Sequence, residues 1–183
     1  MKVKATLDEI CDNIRQYREK DVDPELVNRF VRMILRARRI FVYGAGRSGL
    51  IGKCFAQRLM HLGMETYALG ETITPSMSKQ DVLVSISGSG GTTSTLAIAR
   101  AAKSLGAKVI AMTAHPKSAL ARMADLVFFV RGKTKVGEYA SLAPFTSLFD
   151  ITTLAVLDSL CAEIMDRSGT TERTILRAHA TVE

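Results

Sequence analysis

Two kinds of hydrophobic spacing divide this chain. In the first 38 residues apolar positions recur every three or four: Leu7, Ile10, Cys11, Ile14 and Tyr17, then Leu26, Phe30, Ile34 and Leu35 behind Pro24. That period predicts two amphipathic helices, the second with proline in its opening turn. From residue 40 the pattern changes to short runs that are apolar on both faces, at 40–43, 66–69, 82–86, 108–113 and 126–130. Rich in Val, Ile, Phe and Tyr, they predict strands of a parallel sheet covered by helices. Helices are predicted between them, over about 50–62, 93–105 and 117–123. A glycine-bearing linker, Arg131 to Gly137, then leads to a long helix from about Pro144 to Arg167 and a short one from about Thr171 to His179. The alternation implies an α/β fold in a single domain, a three-layer sandwich around a five-stranded parallel sheet, doubly wound with right-handed crossovers. Residues 1–38 supply a helical pair, 39–131 the sheet core and 144–183 the C-terminal helices.

Composition narrows the function classes. The chain has 183 residues, enough for a substantial core without disulfides. Its three cysteines, Cys11, Cys54 and Cys161, are scattered and form no C-x-x-C pair, which argues for a reducing compartment and against a zinc site. The first residues carry no apolar stretch of the signal-peptide kind and no run is long enough to span a bilayer, so the expected location is the cytoplasm, with no membrane partner. A net charge of +7 invites a nucleic-acid reading. The densest basic run, Arg32, Arg36, Arg38 and Arg39, falls at a helix end, where cations complement the dipole and stay solvated. There is no Trp, and no strand carries an aromatic stacking pair, so no nucleic-acid partner is expected.

The chemistry concentrates in two glycine-serine loops, each closing an apolar run and opening a helix. The first is Gly44-Ala45-Gly46-Arg47-Ser48-Gly49; the second is Ser87-Gly88-Ser89-Gly90-Gly91-Thr92. Glycine lets the backbone approach a ligand, and a helix start presents unpaired N–H groups at the positive end of its dipole. Ser48, Ser87, Ser89 and Thr92 add donors suited to phosphate oxygens. Each hydroxyl alone reads equally as a helix cap. Four of them in successive β-α units point to a phosphorylated ligand. Both loops fall at the carboxyl ends of strands, where doubly wound sheets bind ligands. Gly70-Glu71-Thr72 and Thr113-Ala114-His115-Pro116 fall at the same edge.

The first loop also matches the dinucleotide fingerprint G-x-G-x-x-G, with Glu71 as a candidate ribose acid. A second loop of the same character and the absence of room for a substrate domain count against that reading.

Several longer runs carry a resemblance. They are Gly44 to Leu50, Arg58-Leu59-Met60-His61-Leu62-Gly63, Gly70-Glu71-Thr72-Ile73-Thr74-Pro75, Ser87-Gly88-Ser89-Gly90, and the closing His179-Ala180-Thr181-Val182-Glu183. Through them nearly the whole chain resembles the sugar isomerase (SIS) domain family, and within it the 6-phospho-3-hexuloisomerases. The resemblance implies a flavodoxin-like sheet, a homotetramer with active sites between subunits, and no metal or cofactor. The reaction it implies converts D-arabino-3-hexulose 6-phosphate to fructose 6-phosphate, in formaldehyde handling (the ribulose monophosphate pathway) or pentose synthesis. Three departures stand out. The second loop continues as Gly91-Thr92 where the family has Glu-Thr. The segment Ala143-Pro144-Phe145-Thr146-Ser147-Leu148-Phe149-Asp150 replaces Gln-Pro-x-Gly-Ser-x-Phe-Glu, so the family's proton-accepting Glu is here the shorter Asp150. The terminal run replaces His-Ala-Asn-Leu-Glu.

Such a reaction takes a proton from C2, passes through an enediol and returns a proton at C3. Asp150 is the candidate base, against the plain alternative of an acid favoured by a helix N-terminus. His179, brought by a neighbouring subunit, is the candidate proton shuttle between oxygens. Arg47 is the candidate stabiliser of the enediolate. Ser48, Ser87, Gly88, Ser89, Gly90, Gly91 and Thr92 are expected to hold the phosphate. His61 reads as packing, His115 as a turn residue, and Glu71 and Glu138 as reserve carboxylates.

Overall fold

The computed structural model describes residues 1–135 and 140–179. Helix α1 (Lys2–Lys20) and helix α2 (Pro24–Arg36) come first. Asp23 opens α2, its carboxylate accepting from the N–H groups of Glu25 (2.9 Å) and Leu26 (3.4 Å) ahead of the helical proline. Strands β1 (Ile40–Gly44), β2 (Thr66–Ala68), β3 (Val82–Ile86), β4 (Lys108–Thr113) and β5 (Leu126–Phe129) form one parallel sheet in the order β2-β1-β3-β4-β5. The remaining helices are α3 (Arg47–His61), α4 (Thr93–Ser104), α5 (Ala119–Met123), α6 (Ser147–Ser168) and α7 (Glu172–Ala178).

Alternation along the strands assigns the two faces. Ile40, Val42, Val84, Ile86, Ile110 and Met112 pack with Phe30, Phe55 and Leu160 beneath α2, α3 and α6. Phe41, Leu83, Val109 and Ala111 pack with Ala99, Ala102 and Leu120 beneath α4 and α5. Central β3 is buried at all five positions, as its uninterrupted apolar run requires. Several element starts shift from the sequence expectation, α3 and α6 the most. Helix α3 begins at Arg47, inside the first glycine loop, so Ser48 and Gly49 lie in its first turn. Helix α6 begins at Ser147 because Pro144 to Thr146 form a turn in which the Ser147 N–H donates to the Pro144 carbonyl (2.9 Å). Gly169, at φ 69°, ends α6 in the left-handed conformation.

All three cysteines are free. Burial, reinforced by Asp158, pushes the Cys161 thiol up to about 12, so it packs as a neutral side chain. Among the described residues no helix is long and apolar enough to cross a membrane.

Candidate phosphosugar site

Sheet order reverses between β1 and β3, and the two glycine loops leave the sheet at those two strands. This is the crevice in which doubly wound sheets hold ligands. The first loop is drawn tight: a Cβ on Gly49 would lie 2.5 Å from the Gly44 carbonyl oxygen. In the second, Gly90 has φ +59°, and a Cβ there would lie 2.0 Å from Ser118 Oγ. The end of β4 pins this loop, since the Ala114 N–H and the Thr113 hydroxyl both donate to the Gly88 carbonyl at 3.1 Å.

Helix capping does not explain the hydroxyls. Thr92 stands at the N-cap of α4 yet makes no side-chain cap; its Oγ1 lies 3.2 Å from Ser87 Oγ. Ser48 lies inside α3 and directs its Oγ toward Asp150 Oδ1, at 3.4 Å. Ser89 accepts from the Gly91 N–H within its own loop (3.3 Å). In the first turn of α3 the Gly49 N–H donates to the Gly46 carbonyl (3.0 Å), which leaves the N–H groups of Arg47 and Ser48, with those opening α4, for a ligand.

Between the loops lies a cleft of about 240 Å³. Its walls include Arg47, Ser48, Ser87, Gly88, Ser89 and Thr92, together with Lys135, Phe145, Thr146 and Phe149. Gly90 and Gly91 shape the second loop without lining the cleft. The volume lies just under the usual range for ligand pockets, which starts at about 300 Å³, and suits a single sugar phosphate better than a dinucleotide. Glu71, the acid of the dinucleotide reading, is paired with Lys53 on the surface, where both side chains are exposed.

Asp150 is 1% exposed, in the first turn of α6. Its Oδ2 accepts from Thr146 Oγ1 (2.7 Å) and from Arg47 Nε (3.1 Å). Arg47 is itself 61% exposed and overlies the carboxylate from the cleft side. The two expected departures in this segment thus fit each other: Thr146, where the resemblance leads one to expect Gly, supplies a hydroxyl that holds the shorter Asp150.

The sequence reading did not place Lys135, Phe145, Thr146 or Phe149 on the wall. Lys135 follows β5 at the same edge, with its ammonium 5.7 Å from the centre of the Phe145 ring. A cation in the loop after the last strand was the available signal. Phe145, 63% exposed, has φ 48°, the only positive value at a non-glycine among the described residues. Nothing in a Pro-Phe-Thr sequence announces that.

His179 sits elsewhere. Its ring stacks on His61 with centroids 5.4 Å apart, at the end of α3 opposite Ser48. Thirteen residues of helix separate His61 from Ser48, about 20 Å at 1.5 Å per residue. His61 is buried as a packing residue. His115 serves its turn, with Nε2 2.8 Å from Thr134 Oγ1 and its carbonyl accepting from the Ser118 N–H (2.9 Å). Glu138 and residues 180–183 lie outside the described residues.

Comparison with known proteins places this geometry. The SIS domain model matches residues 33–161. The chain belongs to the SIS domain family. An uncharacterised protein of Archaeoglobus fulgidus is 46% identical over 97% of this SIS chain and 98% of its own length. A 3-hexulose-6-phosphate isomerase of Methanocaldococcus jannaschii is 38% identical over 94% of each chain. A crystal structure from Methanococcus jannaschii, for which a 3-hexulose-6-phosphate isomerase function was inferred, superimposes with a TM-score of 0.87 at 37% identity, covering 97% of this SIS chain and 98% of that one.

Proposed function

We propose that this protein interconverts D-arabino-3-hexulose 6-phosphate and fructose 6-phosphate in the cytoplasm, as a homotetramer. The observation that carries the reading is the cleft at the β1/β3 crevice: two loops of N–H and hydroxyl donors facing a buried carboxylate that an exposed arginine covers. The 35–39% identity to several proteins named 3-hexulose-6-phosphate isomerase supports it.

In the proposed mechanism the loop N–H groups with Ser48, Ser87, Ser89 and Thr92 take the phosphate. Gly88 lets the sugar approach, and Gly90 and Gly91 keep the loop in shape. With O6 phosphorylated, a 3-keto hexose cannot close a five-membered ring, so the open chain enters directly. Arg47 moves from Asp150 to the oxygens on C2 and C3, where negative charge develops. The Asp150 oxygen thus uncovered takes the C2 proton and returns it at C3. His179 of a neighbouring copy passes the other proton between the two oxygens. At about 20 Å along α3 from its own chain's Ser48, it serves a neighbour's cleft rather than its own.

A second reading has one observation in its favour. The Asp150 carboxylate is wholly engaged by protein groups, as in a receptor that binds phosphosugar without turning it over. Equilibration of purified 3-hexulose 6-phosphate, followed by NMR, separates the two. Formation of fructose 6-phosphate supports the isomerase; tight binding without conversion supports the receptor. Mixing Asp150→Asn with His179→Ala subunits tests the shared site, because only composite sites restore activity to two inactive variants.

A further inference from the structure

The opposite edge of the sheet carries a second, larger cleft, of about 610 Å³. Six cations line it: Arg29, Arg32, Arg36, Arg38, Lys79 and Lys108. Arg29, Arg32 and Arg36 share one face of α2, at spacings of three and four residues. Arg38 enters β1, Lys79 lies just before β3, and Lys108 opens β4. Three residues of the basic run that reads as solvated in the sequence, Arg32, Arg36 and Arg38, are therefore part of a concavity closed by Lys79 and Lys108, whereas the fourth, Arg39, is largely buried in an ion pair with Asp81.

Most of this charge is uncompensated. Arg29, Arg36, Arg38 and Lys79 have no ion-pair partner among the described residues. Arg32 pairs only with exposed Glu25, and Lys108 shares Asp125 with Lys103. The single carboxylate in the lining, Asp81, is 0% exposed and committed elsewhere. It accepts from Arg39 Nη2 (2.7 Å), from the Ser78 N–H (2.6 Å) and from the Ser78 hydroxyl (2.9 Å). Gathering like charges in a cleft raises the local potential and concentrates anions there. Met33, Ala37 and Val82 add apolar surface beneath the charged rim.

We infer that this cleft is a second ligand site, for a small anion carrying two or more phosphate groups. Its volume falls within the range of small-molecule pockets, about 300–1,000 Å³. Among its lining residues there is no aromatic ring on which a nucleobase of a single strand could stack, which favours a compact anion over a nucleic-acid chain. Strand β1 has five residues, so the two edges are about 16 Å apart at 3.3 Å per residue. A ligand here occupies its cleft together with a phosphosugar at the other edge, and the inference does not depend on the isomerase reading.

Calorimetric titration with inorganic tripolyphosphate, in the presence of saturating fructose 6-phosphate, tests it. The expected result is binding that weakens by about tenfold or more in an Arg36→Glu/Lys79→Glu double variant. Both side chains are exposed, so the fold is retained, which circular dichroism checks. Ser87→Ala, in the other cleft, leaves tripolyphosphate binding unchanged. Three results would overturn the proposal: no heat of binding at about 1 mM tripolyphosphate, displacement by fructose 6-phosphate or loss in Ser87→Ala, or binding of an RNA oligomer where tripolyphosphate fails.

Discussion

The two edges of one sheet are equipped for anions by different means. At the carboxyl edge the donors are backbone N–H groups and hydroxyls fixed by tight glycine loops, with Arg47 and Lys135 the cations on the wall. At the amino edge the charge sits on long side chains from α2 and three strand starts, with no comparable loop. The first arrangement is specific in geometry: in the proposed mechanism it holds one phosphate in one orientation and sets the adjoining carbons against Asp150. The second is specific in charge. A reaction needs the former, because a misplacement of about 1 Å costs on the order of a hundredfold in rate, whereas flexible cations suffice to retain a highly charged ligand.

Breaking the carboxyl edge at its reacting group has the largest expected effect. Asp150→Asn lowers isomerase turnover by about 10²–10⁴-fold, the usual scale for a general base. Fructose 6-phosphate binding, measured by calorimetry, changes only a few-fold, because the phosphate donors remain.

At the amino edge the corresponding change acts on stability. Burial pushes the Asp81 carboxyl up, but the Arg39 guanidinium and the Ser78 N–H and hydroxyl overcome it and hold the carboxyl below its ordinary value. A group depressed on folding contributes stability in full above its unfolded pKa, about 3.9, and loses it as the pH falls through the folded value. Asp81→Asn therefore lowers the melting temperature at pH 7 by several degrees. The gap to the wild type closes as the pH falls below about 4.

Two adjacent glycines sharpen the claim that geometry governs the carboxyl edge. Gly90→Ala drives a Cβ into Ser118 at a positive φ and destabilises by about 1–3 kcal/mol in thermal unfolding. Gly91→Ala meets nothing nearer than 4.0 Å and stays within about 0.5 kcal/mol. The smallest effect is that of salt. Between about 50 and 200 mM, tripolyphosphate binding at the amino edge weakens several-fold, and fructose 6-phosphate binding weakens less.

What the sequence discloses follows the same division. Strands and glycine loops are local, so their apolar runs and spacings reveal them; even the run at 66–69 needed only a trim to three residues at the sheet edge. The burial of Asp150 is not local. It depends on Thr146 one turn before it and on Arg47 and Ser48 about a hundred residues away. The left-handed Phe145 and the place of Lys135 on the wall likewise emerge only once the chain is folded. The basic cleft joins residues 29–38 to Lys79 and Lys108, and the sequence shows just the first group as a cluster. Stacking of His179 on His61, far from its own cleft, is equally a property of the fold.

The proposed reaction is proton transfer between C2 and C3 of a 6-phosphoketose, with Asp150 as the carrier. Fructose 6-phosphate carries no proton on C2, so the reaction shows at C3 when the protein is incubated with it in heavy water and followed by proton NMR. The expected result is loss of the C3 proton signal, retention of both C1 protons, and no exchange in Asp150→Asn. An unchanged C3 signal in the wild type, exchange at C1 instead, or undiminished exchange in Asp150→Asn would contradict it.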